Sequence, residues 1–177
     1  MSHVICVDGL GGDPVVTFGK LKTALEAKGH TVHIAPIEGV TPLEDRTDLV
    51  FNTVQGLRSN YPTAKYFLVG QLEGGSAVLC AAADLADTDL PHGIILLSSS
   101  VSRAECNKPL GCPCTLMYGE KDGQINRRGQ EKLAQRMRDN MEPKRRSVIS
   151  TNSIRNVDHL TLPHDDQAIG LVCRSIH

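Results

Sequence analysis

The stretch Gly70-Gln71-Leu72-Glu73-Gly74 stands where an apolar run, Tyr66 to Val69, gives way to an alanine-rich helical pattern. Glycines at its first and fifth positions let a strand reverse into a helix with two backbones almost touching. The spacing is that of G-x-S-x-G, the nucleophile elbow, whose tip residue is held strained above the sheet edge. Such a tip should carry Ser, Cys or Asp. Position 72 is leucine, with neither a lone pair nor a proton to give. Two further residues follow in an order that would serve such a tip. Asp122 lies in Gly119-Glu120-Lys121-Asp122-Gly123, and His159 lies in Asn156-Val157-Asp158-His159-Leu160. A histidine can take a proton from a nucleophile and pass it on, while an aspartate fixes the imidazole tautomer and stabilises its cation.

Other residues offer chemistry, and each has a plainer reading. Ser76 lies one helical turn past the tip and should point into helix packing below the site. Ser98, Ser99 and Ser100 end an apolar run and could come near His159, but without an elbow's strain. Glu73 could act as a general base on water, or simply be an acid at a helix N-terminus facing solvent. Cys106, Cys112 and Cys114 resemble a metal cluster by count. Their spacing lacks C-x-x-C pairs, and Pro113 between two of them favours packing at a strand entry, so no metal is expected. Gly9-Leu10-Gly11-Gly12 could cradle a phosphate, but does not form G-x-G-x-x-G.

The composition removes several classes of partner. A net charge of −1 gives no electrostatic case for nucleic acid or an anionic membrane. Aromatics are only 3% with no Trp, so a base-stacking platform is not expected. No apolar run approaches the roughly 20 residues of a membrane span. The N-terminus lacks the basic and apolar regions of a signal peptide. Cys6, Cys80 and Cys173 fall in predicted strand and helix positions and read as small core residues. A reduced, cytoplasmic chain follows.

These residues need elements to hold them. Strands are expected at 3–8, 31–35, 65–70, 93–98, 115–118 and 146–150. Helices are expected from Asp13-Pro14 to Gly29, over 43–57, from the elbow to about Asp87, over roughly 125–140, and from about Asp165 onward. Asp13 is a suitable N-cap and Pro14 a suitable first helical residue. Strands that alternate with helices, most of them apolar on both faces, predict a parallel sheet covered on both sides. The expectation is one domain over 1–177: a three-layer αβα sandwich with a mostly parallel, about six-stranded sheet. Ligands of such sheets bind at the carboxyl ends of the strands. That puts the loops 8–13, 70–75, 98–113, 119–124 and 151–164 around any site.

Together these loops resemble the α/β-hydrolase family. Val7-Asp8-Gly9-Leu10-Gly11-Gly12 looks like the family's His-Gly-x-Gly-Gly turn, with Asp8 where His is usual. Leu116 to Gly123 looks like its acid loop, Asn156 to Leu160 like its histidine loop, and the order nucleophile, acid, histidine is the family's. The resemblance implies a minimal member without a cap domain, since about fifteen residues separate the fourth and fifth strands. It implies catalytic positions at Leu72 (substituted), Asp122 and His159, and an oxyanion hole from the backbone N–H groups of Leu10 and Glu73. It places Gly9, Gly11, Gln71 and Ser99 beside the substrate. No cofactor is implied. The ligand would be a small ester-like or apolar molecule.

Two explanations of Leu72 follow. One is a carboxylic-ester or thioester hydrolase whose nucleophile position has been replaced, as an inactivated variant or a natural pseudoenzyme. Retention of Asp122, His159 and the glycines fits a recent loss, because an idle site is free to drift. The other is a non-catalytic ligand-binding or interaction protein that uses the hydrolase pocket. Either way the chain as written should lack serine-type hydrolysis. A third class, a flavodoxin-like nucleotide binder, would need a phosphate at Gly9 to Gly12.

Overall fold

The computed structural model describes residues 1–9, 13–35, 42–101, 110–141 and 148–177. Among these, six strands form one sheet: β1 (Ser2–Val7), β2 (Thr31–Ile34), β3 (Lys65–Gln71), β4 (Gly93–Leu97), β5 (Cys114–Gly119) and β6 (Ile149–Ile154). The order is β2-β1-β3-β4-β5-β6, and every pairing is parallel. The helices are α1 (Pro14–Glu26), α2 (Leu43–Asn60), α3 (Glu73–Asp84), α4 (Arg127–Asp139) and α5 (Asp166–Ser175). No described helix is long and apolar enough to cross a membrane.

The two faces of the sheet carry separate cores, as the period-2 alternation of strand side chains requires. Ile5, Val7, Tyr66, Leu68, Ile94, Leu96 and Leu116 face one way, against Val50, Val54, Ala77, Val78, Leu133 and Met137 of α2, α3 and α4. Val4, Cys6, Phe67, Val69, Ile95, Leu97 and Met117 face the other, against Phe18, Leu21 and Leu25 of α1 and Ile169 and Val172 of α5. The expected three-layer sandwich is the observed one. α1 also starts as expected: Asp13 Oδ1 accepts from Val15 N at 2.8 Å, and Pro14 is the first helical residue.

The last strand is the main departure. It was expected at 146–150 and lies at Ile149–Ile154; 146 and 147 lie outside the described residues. β6 is an edge strand whose only buried residues are its ends, Ile149 and Ile154. An edge strand has no apolar run, because a wholly buried pair of faces is what writes one. β3 likewise continues one residue past Gly70, so Gln71 still pairs with Leu97 of β4.

Candidate functional site

Chain order reverses between β1 and β3, which sit side by side although β1 is followed by β2 on its other flank. There the turn after β1 meets the turn after β3. A side chain added at Gly9 would come within 2.5 Å of Leu72 Cβ and 3.1 Å of Glu73 N. The turn is held by Asp8, whose Oδ1 accepts from Gly9 N at 2.7 Å and whose Oδ2 accepts from Thr17 Oγ1 at 2.8 Å. Asp8 is buried and occupied with its own loop. Leu10 and Gly11, expected to supply an oxyanion N–H and a pocket wall, lie outside the described residues.

The elbow itself is formed. Leu72 has φ 48 and ψ −123, a left-handed conformation rare for a branched side chain, and it directly precedes α3. Its N–H points to Leu97 O at 3.3 Å, and Gly75 N donates to Leu72 O at 3.1 Å. Gly74 is required by close approach, since a Cβ there would lie 2.3 Å from Val7 O. Glu73 is the first residue of α3, and an N–H at that position has no partner within its own helix. That leaves it suited to a developing negative charge. The Glu73 carboxylate is half-buried, with Oε2 buried and without a hydrogen-bond partner.

Asp122 and His159 are brought together from loops after β5 and β6. His159 Nδ1 lies 3.1 Å from Asp122 Oδ1. The same oxygen accepts from Gln124 N at 2.9 Å and Ile125 N at 2.8 Å, so the carboxylate is fixed before the imidazole reaches it. The Asp122 side chain is fully buried, while that of His159 is 19% exposed. A carboxylate only accepts, so Nδ1 carries the proton in this contact and Nε2 is left as the acceptor. Backbone contact locks the two loops. Lys121 N donates to Val157 O at 3.0 Å, and a Cβ on Gly119 would sit 2.2 Å from that carbonyl oxygen. Asn156 turns the histidine loop at φ 64, a conformation asparagine tolerates.

The side chains beside the elbow are mostly committed. Gln71 is 3% exposed, and its Nε2 donates to His159 O at 2.8 Å. Ser99 is 1% exposed, and its Oγ donates to Gly70 O at 3.2 Å behind the turn. Ser76 Oγ donates to Ser100 O at 2.9 Å, within the packing expected of it. Ser98 is fully buried at φ 42. Leu72 therefore remains the residue presented at the tip. Sequence reasoning overlooked Gln130, a buried glutamine on α4 whose Nε2 donates to Ser99 O at 3.0 Å. A polar residue on the apolar stripe of a helix was the available signal. Cys112 and Cys114 are buried at the entry and start of β5, and Cys106 lies outside the described residues.

No family model and no curated protein matches the chain by sequence. In three dimensions it is similar to the esterase Pf2001 of Pyrococcus furiosus, with a TM-score of 0.76 at 12% identity over 98% of this chain and 81% of that one. It is similar to Est1E from Butyrivibrio proteoclasticus, with a TM-score of 0.73 at 14% identity over 98% and 84% of the two chains. The esterase domain of a Rhodothermus marinus protein gives 0.70 at 14% identity, covering 97% and 82%. At such identities the likeness speaks for the fold: this chain has the α/β-hydrolase fold.

Proposed function

We propose that this protein carries an ester- or thioester-hydrolase site whose nucleophile position is occupied by Leu72, and that it lacks serine-type hydrolysis as it stands. The observation that carries this reading is the backbone of Leu72. Its φ of 48 and ψ of −123 give the strained tip that a nucleophile needs and a leucine does not. The Asp122–His159 contact of 3.1 Å supports it. In such a site a tip hydroxyl attacks the ester carbonyl as His159 Nε2 takes its proton. The N–H of Glu73 holds the oxyanion, and His159 protonates the leaving group. Water then repeats the sequence on the acyl intermediate. Leucine can form no acyl bond. What remains is the modest catalysis of binding and oxyanion stabilisation, several orders of magnitude weaker. We place the chain in a reducing, cytoplasmic setting, which fits the free thiols of Cys6, Cys112 and Cys173.

A second reading has its own observation. Leu72 is only half-buried, and Leu160, next to His159, is 64% exposed. Apolar groups there would suit a small apolar ligand held without turnover.

The test is a fluorophosphonate probe on the protein and on Leu72→Ser, scored by intact mass, with short p-nitrophenyl esters as substrates. Labelling and turnover by Leu72→Ser alone support the hydrolase reading. A folded Leu72→Ser inert to both sinks it, and an apolar ligand carried through purification then favours the binding reading.

A further inference from the structure

Strands β3 and β6 are three positions apart in the sheet, about 14 Å at the usual strand spacing of about 4.8 Å. Yet the last residue of β3 touches the loop that follows β6, since Gln71 Nε2 donates to His159 O at 2.8 Å. The histidine loop therefore folds back across the ends of β4 and β5 and is fastened to the elbow strand, one residue before the tip. Only a donor can meet a carbonyl oxygen, so the amide orientation is set by this contact. Gln71 is itself held on both sides: it is 3% exposed and its backbone is paired with Leu97.

We propose that Gln71 is a positioning residue, which sets where the His159 imidazole stands relative to both Asp122 and the elbow tip. The reasoning is geometric. The acid loop fixes the histidine loop from one side, through Lys121 N to Val157 O and Asp122 to the ring. Neither contact ties His159 to position 72. Gln71 supplies that tie through the backbone of the histidine itself, with no intervening residue to flex. The inference rests on the hydrolase reading only for its kinetic consequence; the placement of the ring does not depend on it.

The experiment has two readouts. The first uses the chain with Leu72 in place and follows the His159 Nδ1–H proton by NMR, a deshielded signal while the ring faces the Asp122 carboxylate. Gln71→Met removes the donor while keeping the length, and should abolish that signal or move it to the position of an unpaired imidazole. Gln130→Met removes another buried glutamine, whose amide is hydrogen-bonded to Ser99 O and not to His159 O, and should leave it in place. Gln71→Glu keeps the shape, turns the donor into an acceptor, and serves if the methionine variant does not fold. The second readout uses Leu72→Ser. Adding Gln71→Met should lower the rate of fluorophosphonate labelling about 100-fold, the scale of a misplacement of about 1 Å, and lower kcat with KM little changed. A folded Gln71 variant with unchanged signal and unchanged labelling overturns the proposal. Were Leu72→Ser not labelled at all, the hydrolase reading would fall, and the NMR signal alone would decide the role of Gln71.

Discussion

Leucine at position 72 occupies a backbone conformation that costs on the order of 1–3 kcal/mol for a residue with a Cβ. Nothing in the leucine side chain calls for it; it is imposed by Gly74 pressed on Val7 O and by the packing of Gly9 against the tip. The strain is therefore common to any L-residue with a Cβ at this position, so Leu72→Ser should inherit a working geometry with little change in stability. In an active Leu72→Ser, adding Asp122→Asn should reduce kcat by about 10⁴-fold, because the imidazole would adopt the wrong tautomer. Steady-state kinetics of the double variant checks it. Thiol chemistry offers a second test at the same scale. Burial pushes the Cys6 and Cys112 thiols up to about 12. Neither should react with iodoacetamide at pH 8 while the protein is folded, and both should react in denaturant, as peptide mass mapping would show.

At the scale of elements, the glycines divide by what surrounds them. Gly74 stands where the first turn of α3 passes over the end of β1. A Cβ there meets backbone oxygen, which cannot swing aside. Gly74→Ala should therefore cost about 3 kcal/mol or more, since overpacking against backbone is not relieved by a rotamer change. Gly19 in α1 and Gly56 in α2 have open space around the position of an added Cβ. There alanine should raise stability by about 0.5–1 kcal/mol each, through helix propensity and a less disordered unfolded chain. Urea unfolding of the three variants measures both signs. An unstable Gly19→Ala would show that the helix faces are more crowded than they stand here. The same elements explain what was misplaced in the sequence: β6 hides at an edge, and the short turns at 87–89 and 162–164 are 3₁₀ helices too brief to write a period.

For the molecule as a whole, histidines set the acid limit. His3 and His33 stack at a centroid distance of 5.3 Å with Nδ1 and Nε2 3.0 Å apart, at the sheet end where β1 and β2 begin. Burial lowers the pKa of both, and His33 is lowered further by His3 and Lys22. Burial also lowers His30 and His92. In the unfolded chain each returns to about 6.5. Between the folded and unfolded values the unfolded chain binds more protons, so stability falls as pH falls. Above about pH 6.5 this contribution is complete; it is lost progressively below that, and levels off beneath the folded values. Thermal unfolding from pH 7.5 to 5 should show the decline, and His3→Gln with His33→Gln should flatten it. A pH-independent Tm in the parent would contradict the buried-histidine account.

Much of this molecule is written locally. Apolar runs of β1, β3 and β4 announce a sheet covered on both faces because every residue of β1 and β4, and every residue of β3 after Lys65, is buried. The glycine spacing of the elbow and the cap at Asp13 are readable because each answers a constraint within a few residues. Asp122 and His159 could be placed by their order after strand ends, and the fold joins them. Other assignments needed the third dimension. Ser99 and Gln71 were expected beside a substrate, and both are buried in hydrogen bonds to backbone carbonyls, at Gly70 and His159. Gln71 and His159 are 88 residues apart in the chain. No local pattern encodes such a contact, because it exists only after three strands have been laid side by side and the last loop has folded back over them. The sequence by itself determined the layers, the elbow and the leucine at its tip, since these depend on residue type and near neighbours. The tertiary structure decided which polar side chains hold the site together, since that depends on where separate strand ends converge.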